Sequence, residues 1–98
     1  MTAAAAVAAA AVAAMKSKPG SVGVQRTGCS ALKKLARDAA GAQALVDAGG
    51  VAVLAVAMGR HTADAVLQRW GCGALLNLAY GDLARLQAVV DVGGVAAV

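Results

Sequence analysis

His61 is the single imidazole of the chain, and every carboxylate is an aspartate, so few side chains could move a proton. General acid–base catalysis needs titratable groups held against one another. His61 has Arg60 beside it and no evident acidic or nucleophilic partner, and it reads as a surface or capping residue. Cys29 and Cys72 lack the His or Asp pair that zinc would require. The paired glycines Gly49-Gly50 and Gly93-Gly94 open apolar stretches without the Lys that follows a phosphate-binding loop. These residues argue against an enzyme. They point to no cofactor, no metal and no small-molecule substrate.

The remaining candidates carry contacts rather than chemistry. Trp70, Gly73, Asn77 and Tyr80 are spaced 0, 3, 7 and 10, which places them on one stripe of a helix. Aromatic and Arg side chains are the usual anchors of interfaces. Lys33, Lys34 and Arg37 form a small basic cluster, with Arg69 and Arg85 further along. Such a cluster could meet an acidic peptide or a phosphate backbone, although a solvated face is the commoner outcome. Nine Lys and Arg against five Asp give a net charge of +4. That is weak attraction for anions, without the basic stripe and interleaved aromatics of a nucleic-acid protein.

The elements that must position these residues come from an internal repeat. Gln25, Arg26, Gly28, Cys29, Ala31, Leu32, Leu35 and Ala36 recur as Gln68, Arg69, Gly71, Cys72, Ala74, Leu75, Leu78 and Ala79, each 43 positions on. QALVDAGGVAVL from Gln43 returns as QAVVDVGGVAAV from Gln87, offset by 44. Internal periods of roughly 40–47 residues indicate stacked helical units. With 60% apolar residues and only two aromatics, the core is Ala, Val and Leu, which favours helices over strands. The fold class is all-α.

Read in order, the chain opens on the Ala-rich run Ala3 to Ala14. It is too short to span a bilayer, and no Lys or Arg precedes it as a secretory signal would require. A shift of 43 lays Ala8–Lys18 over Val51–His61, with Met15 on Met58, so the run reads as a degraded repeat helix. A transit-type or disordered leader is the alternative. Pro19-Gly20 breaks the helix. Helices then run from about Val22 to Ala36, Ala40 to Val46, Val51 to Met58, and Thr62 to Tyr80. Thr62 is the expected N-cap of the last, Asp64 lies in its first turn, and Gly59-Arg60-His61 is a loop. The helix from Val51 is expected to be almost wholly enclosed. Another short helix follows over Leu83–Val90, and Val95–Val98 begins a further one. Gly28 and Gly71, inside helices, imply that a neighbouring helix crosses closely at each. Cys29 and Cys72, at equivalent places about 10 Å apart, should be two small buried thiols, since a disulfide needs Cα atoms within about 7 Å. Free thiols suit a reducing, intracellular compartment, cytoplasmic or nuclear.

This three-helix unit resembles an armadillo repeat: a short helix ending D-A-G-G (Asp47–Gly50) or D-V-G-G (Asp91–Gly94), a compact apolar second helix, and a long third helix ending A-L-L-N-L-A (Ala74–Ala79). The resemblance covers 22–98 well and 8–18 weakly. It divides the chain into a partial repeat at 8–36, a complete one at 40–80 and the start of another at 82–98. It implies a right-handed α-solenoid whose third helices line a concave groove holding an extended partner segment. The family's Asn, which bonds the partner's backbone, falls on Asn77 in the later repeat and on Lys34 in the earlier one. The family's Trp position falls on Gly73 and Ser30, so neither copy has the aromatic there.

The expected function is a non-catalytic protein-interaction module that binds a protein or extended peptide, acidic ones included. The partner-binding residues would be Trp70, Asn77, Tyr80, Lys34 and Arg37. The alternative is a structural piece of a larger scaffold or regulatory protein with its binding face elsewhere. A distant third is weak electrostatic binding of nucleic acid or an anionic membrane. Stacked repeats need about three units and polar caps, so exposed ends and self-association are expected.

Overall fold

The computed structural model describes residues 2–80, and all regular structure among them is helical. Helix α1 spans Ala3–Ser17, α2 Val22–Leu35, α3 Ala39–Asp47, α4 Gly50–Arg60 and α5 Ala65–Ala79. Leu83–Val90, the Gly93-Gly94 corner and Val95–Val98 lie outside the described residues.

Each start has a local cause. Thr2, Ser21, Asp38 and Asp64 sit in extended backbone, and their side-chain oxygens accept the N–H of Ala5, Val24, Gly41 and Leu67. Each cap satisfies one of the N–H groups that a helix leaves without an internal partner. Asp64, not Thr62, is therefore the cap of α5. Its carboxylate is chosen over the Thr62 hydroxyl because it also meets Arg26, a partner 38 residues upstream. Helix α4 begins differently, behind Gly49 at φ 82°, a left-handed conformation that side chains resist. That residue turns α3 into α4 through 75°.

The helix ends shift slightly from expectation. Ala36 and Tyr80 are C-cap residues rather than helical ones, and Gly59 and Arg60 belong to α4, leaving His61 as its C-cap. The Ala-rich start is a helix, α1, that buries Ala8, Val12 and Met15. Helix α4 is not wholly enclosed. Val51, Val53, Leu54, Ala57 and Met58 are buried, while Ala52 and Val56 face outward, Val56 at 59% exposure.

The packing repeats as the sequence does. α1 lies against α2, α4 against α5, and α2 and α5 share the most extensive contact among the described helices. The Met15 side chain covers Gly28, and Met58 covers Gly71, where an added Cβ would stand 2.7 Å from the Met58 sulfur. What approaches each glycine is therefore a methionine side chain. Gln25 donates from Nε2 to the carbonyls of Met15 (3.0 Å) and Lys18 (2.9 Å), tying the end of α1 to α2. Gln68 does the same 43 residues later, to Met58 (2.8 Å) and His61 (3.0 Å). A C-terminal turn leaves carbonyls without helical donors, and in each unit one glutamine supplies two of them. Leu32, Leu45, Leu54, Leu67 and Leu78, all fully buried, fill one continuous core with Met15 and Cys29. Among the described residues no single helix is long and apolar enough to cross a membrane.

Candidate functional site

The sequence places Thr27, Ser30 and Lys34 one to two turns apart on α2, with no carboxylate on that helix. Around them the fold builds an open groove of about 600 Å³. Its floor is α2, with Thr27, Ser30, Ala31, Lys34 and Leu35. Ala4 and Val7 of α1 form one wall, Asp38 and Gly41 at the start of α3 close one end, and Trp70 of α5 reaches in from the neighbouring unit. A second groove of about 520 Å³, almost wholly apolar, continues it between α1 and α2 and shares Val7, Thr27 and Ala31. Trp70 is half-buried against the core, so it presents part of its ring while its position is held by packing.

The groove gathers two of the five residues expected to touch a partner. Trp70 and Lys34, one from each unit, line the same surface. Asn77 does not. Its Nδ2 donates to the Lys33 carbonyl at 3.2 Å, so the side chain joins α5 to α2. Arg37 is exposed just beyond α2 and outside the groove lining. Tyr80 stands 90% exposed past the end of α5 and also lies outside it. Only one of the two aromatics therefore faces the groove. Gly73, the place of the expected family aromatic, is occupied from across the contact: an added Cβ there would meet the Lys33 side chain at 2.9 Å. The stem of Lys33 lies where an aromatic ring would otherwise stack.

Electrostatics separate the groove from the opposite edge of the α2–α5 contact. Lys34 and its neighbours give the groove a cation beside the hydroxyls of Thr27 and Ser30. Asp38, at its end, is turned to the Gly41 N–H at 2.7 Å. At the other end of α2, Arg26 pairs with Asp64. The Arg26 hydrogen bond, followed by the Leu67 N–H, holds the Asp64 carboxyl below its ordinary range. His61 caps α4 through its backbone N–H, which donates to the Ala57 carbonyl, while its Nε2 donates to the Pro19 carbonyl at 2.9 Å and staples the two interhelical loops.

Cys29 is fully enclosed, and burial pushes its thiol up to about 11. Cys72 is free as well but half-buried, so only one of the two thiols is enclosed as expected. Among the described residues no group of three His, Cys or Asp could hold a metal ion.

The glutamine pair is what sequence reasoning left unused. Gln25 and Gln68 were visible as repeated residues, but the carbonyls they serve are backbone groups that no side-chain pattern marks. No family model, no curated protein and no solved structure matches the chain.

Proposed function

We propose that this chain is a non-catalytic, armadillo-type interaction module that holds an extended protein segment along the α2 groove. The observation that carries the reading is the meeting of Trp70 and Lys34, from two successive units, over one open, largely apolar groove. A ring fixed by the core loses little entropy on binding, and an exposed cation beside it selects an acidic or polar-apolar segment. The 43-residue recurrence of the Met–Gly and Gln–carbonyl contacts supports a solenoid of equivalent units.

Trp70 is the sole tryptophan and reports directly. Titration with extended acidic peptides should quench and shift its emission, Lys34→Glu should weaken binding about tenfold or more, and basic peptides should do nothing. An unchanged Trp70 spectrum across acidic, neutral and basic peptide pools would refute this function. A second reading, a structural segment of a larger scaffold, draws on one observation: Asn77, the expected partner contact, is engaged with Lys33 instead. In that case Lys34→Glu changes neither binding nor emission.

A further inference from the structure

The groove that α1, α2, α3 and α5 build together carries charge at one end only, and there it carries both signs. Lys34 and Asp38 are the charged side chains of its lining, and its continuation between α1 and α2 has none. Both residues are exposed. They stand four positions apart, the spacing at which Lys and Asp on one continuous helix lie as neighbours. Here the helix is interrupted between them. α2 ends at Leu35, Ala36 caps it, and Asp38 opens α3 from extended backbone. Oδ1 of Asp38 accepts the Gly41 N–H at 2.7 Å. That bond fixes the carboxylate at the end of the groove and leaves its second oxygen as an acceptor. Among the described residues neither Lys34 nor Asp38 takes part in an ion pair. Two opposite charges therefore face one groove, and both are available to a ligand.

From Lys34 the lining runs back along α2 through Ala31 and Thr27 to Val24 without another charge. Ten residues of helix rise about 15 Å, the length of roughly four to five residues of extended chain. A segment that is acidic throughout meets a like charge at Asp38, and one that is basic throughout meets a like charge at Lys34. Neither satisfies both ends of the charged pair.

We propose, on the basis of the interaction function above, that the groove selects extended protein segments by charge order. The basic residue lies outermost against Asp38, the acidic one next to it against Lys34, and a run of about four or five apolar residues follows along α2. An extended backbone can enter in either direction, so the groove reads this order relative to the apolar run and not the N-to-C sense of the segment. Complementary charge of this kind contributes specificity more than affinity.

The test uses end-capped peptides without aromatics, so that Trp70, the sole tryptophan, reports binding through its emission. Lys-Gly-Asp-Val-Ala-Val-Ala and its reverse, Ala-Val-Ala-Val-Asp-Gly-Lys, place the base outermost. Asp-Gly-Lys-Val-Ala-Val-Ala and its reverse, Ala-Val-Ala-Val-Lys-Gly-Asp, have the same composition with the acid outermost. The tighter of the first pair should bind at least about fivefold better than the tighter of the second, because the exchange turns two attractions into two repulsions. Asp38→Asn keeps the α3 cap, since Asn caps a helix as well as Asp does. It should weaken the base-outermost peptide about two- to fivefold. Adding Lys34→Gln should bring the two orders to equal affinity. Wild type that binds both orders equally would overturn the selection by charge order and leave the interaction function standing. So would a preference unchanged in Asp38→Asn whose circular dichroism matches wild type. Emission unchanged by all four peptides and by the acidic, neutral and basic pools would remove both.

Discussion

Replacing Gln25 with Leu keeps the volume of the side chain and removes both of its hydrogen bonds. Gln25 is 2% exposed, and its bond to Met15 is buried, while the Lys18 carbonyl is only partly so. The Met15 carbonyl, left without a donor, should cost about 1–3 kcal/mol, and the Lys18 bond a further ~0.5 kcal/mol, because that carbonyl is only partly buried and keeps the Ser21 N–H at 3.1 Å. The sum is about 1.5–3.5 kcal/mol, a large share of the roughly 5–10 kcal/mol that holds a domain of this size. In a thermal melt that corresponds to a fall in Tm of about 6–28 °C. Gln68→Leu removes the same pair of bonds in a partly buried setting and should cost less, about 1–2 kcal/mol. Gln43→Leu removes only an exposed bond to Asp47 and should stay within about 0.5 kcal/mol of wild type. The assay is urea unfolding followed by circular dichroism, with unchanged m-values as the check that only stability moved. A Gln25→Leu midpoint indistinguishable from that of Gln43→Leu would refute the reasoning that this side chain closes the end of α1.

Two further outcomes follow from the charged and thiol groups. At pH 8 a thiol titrating near 11 is ionised to about 0.1%, so with its full burial Cys29 should resist a disulfide reagent while Cys72 reacts. Mass spectrometry should find one label per native chain and two after denaturation. Because the folded-state Asp64 carboxyl titrates below its unfolded value, its contribution to stability is present above about pH 4 and is lost as pH falls through the lower, folded value. Asp64→Asn should therefore be less stable than wild type at pH 7, and the two unfolding curves should converge as the pH falls through the lower, folded value. A gap that persists in acid would assign Asp64 a packing role instead.

Much of this was legible in the residues. The Pro19-Gly20 break, the Gly49-Gly50 corner and the Ala/Val/Leu periodicity place five helices within a residue or a few of where they lie, because these signals act locally. The 43-residue register also aligned Lys34 with the later unit and set Trp70 on the stripe that reaches the groove. What escaped was decided at a distance. Thr62 and Asp64 are both acceptable caps by local chemistry, and the choice rests on Arg26, in another helix. Asn77 has the look of a free contact residue until the Lys33 carbonyl, 44 residues away, is brought under it. Tyr80 continues the stripe arithmetically, but the helix ends one residue before it.

The glutamine clamps also bear on the order in which the chain folds. Each clamp closes over seven to ten residues, whereas the links between the units close over 38 to 44. Short closures lose less chain entropy before they gain contacts, so α1–α2 and α4–α5 should form as two helical hairpins first and dock afterwards. In stopped-flow kinetics Gln25→Leu should slow folding, while Asn77→Ala should chiefly speed unfolding. If Asn77→Ala slows folding as much as Gln25→Leu does, the two hairpins meet before either is complete. The same clamp that finishes a helix end would then have no part in timing, and the nucleus would lie between α2 and α5.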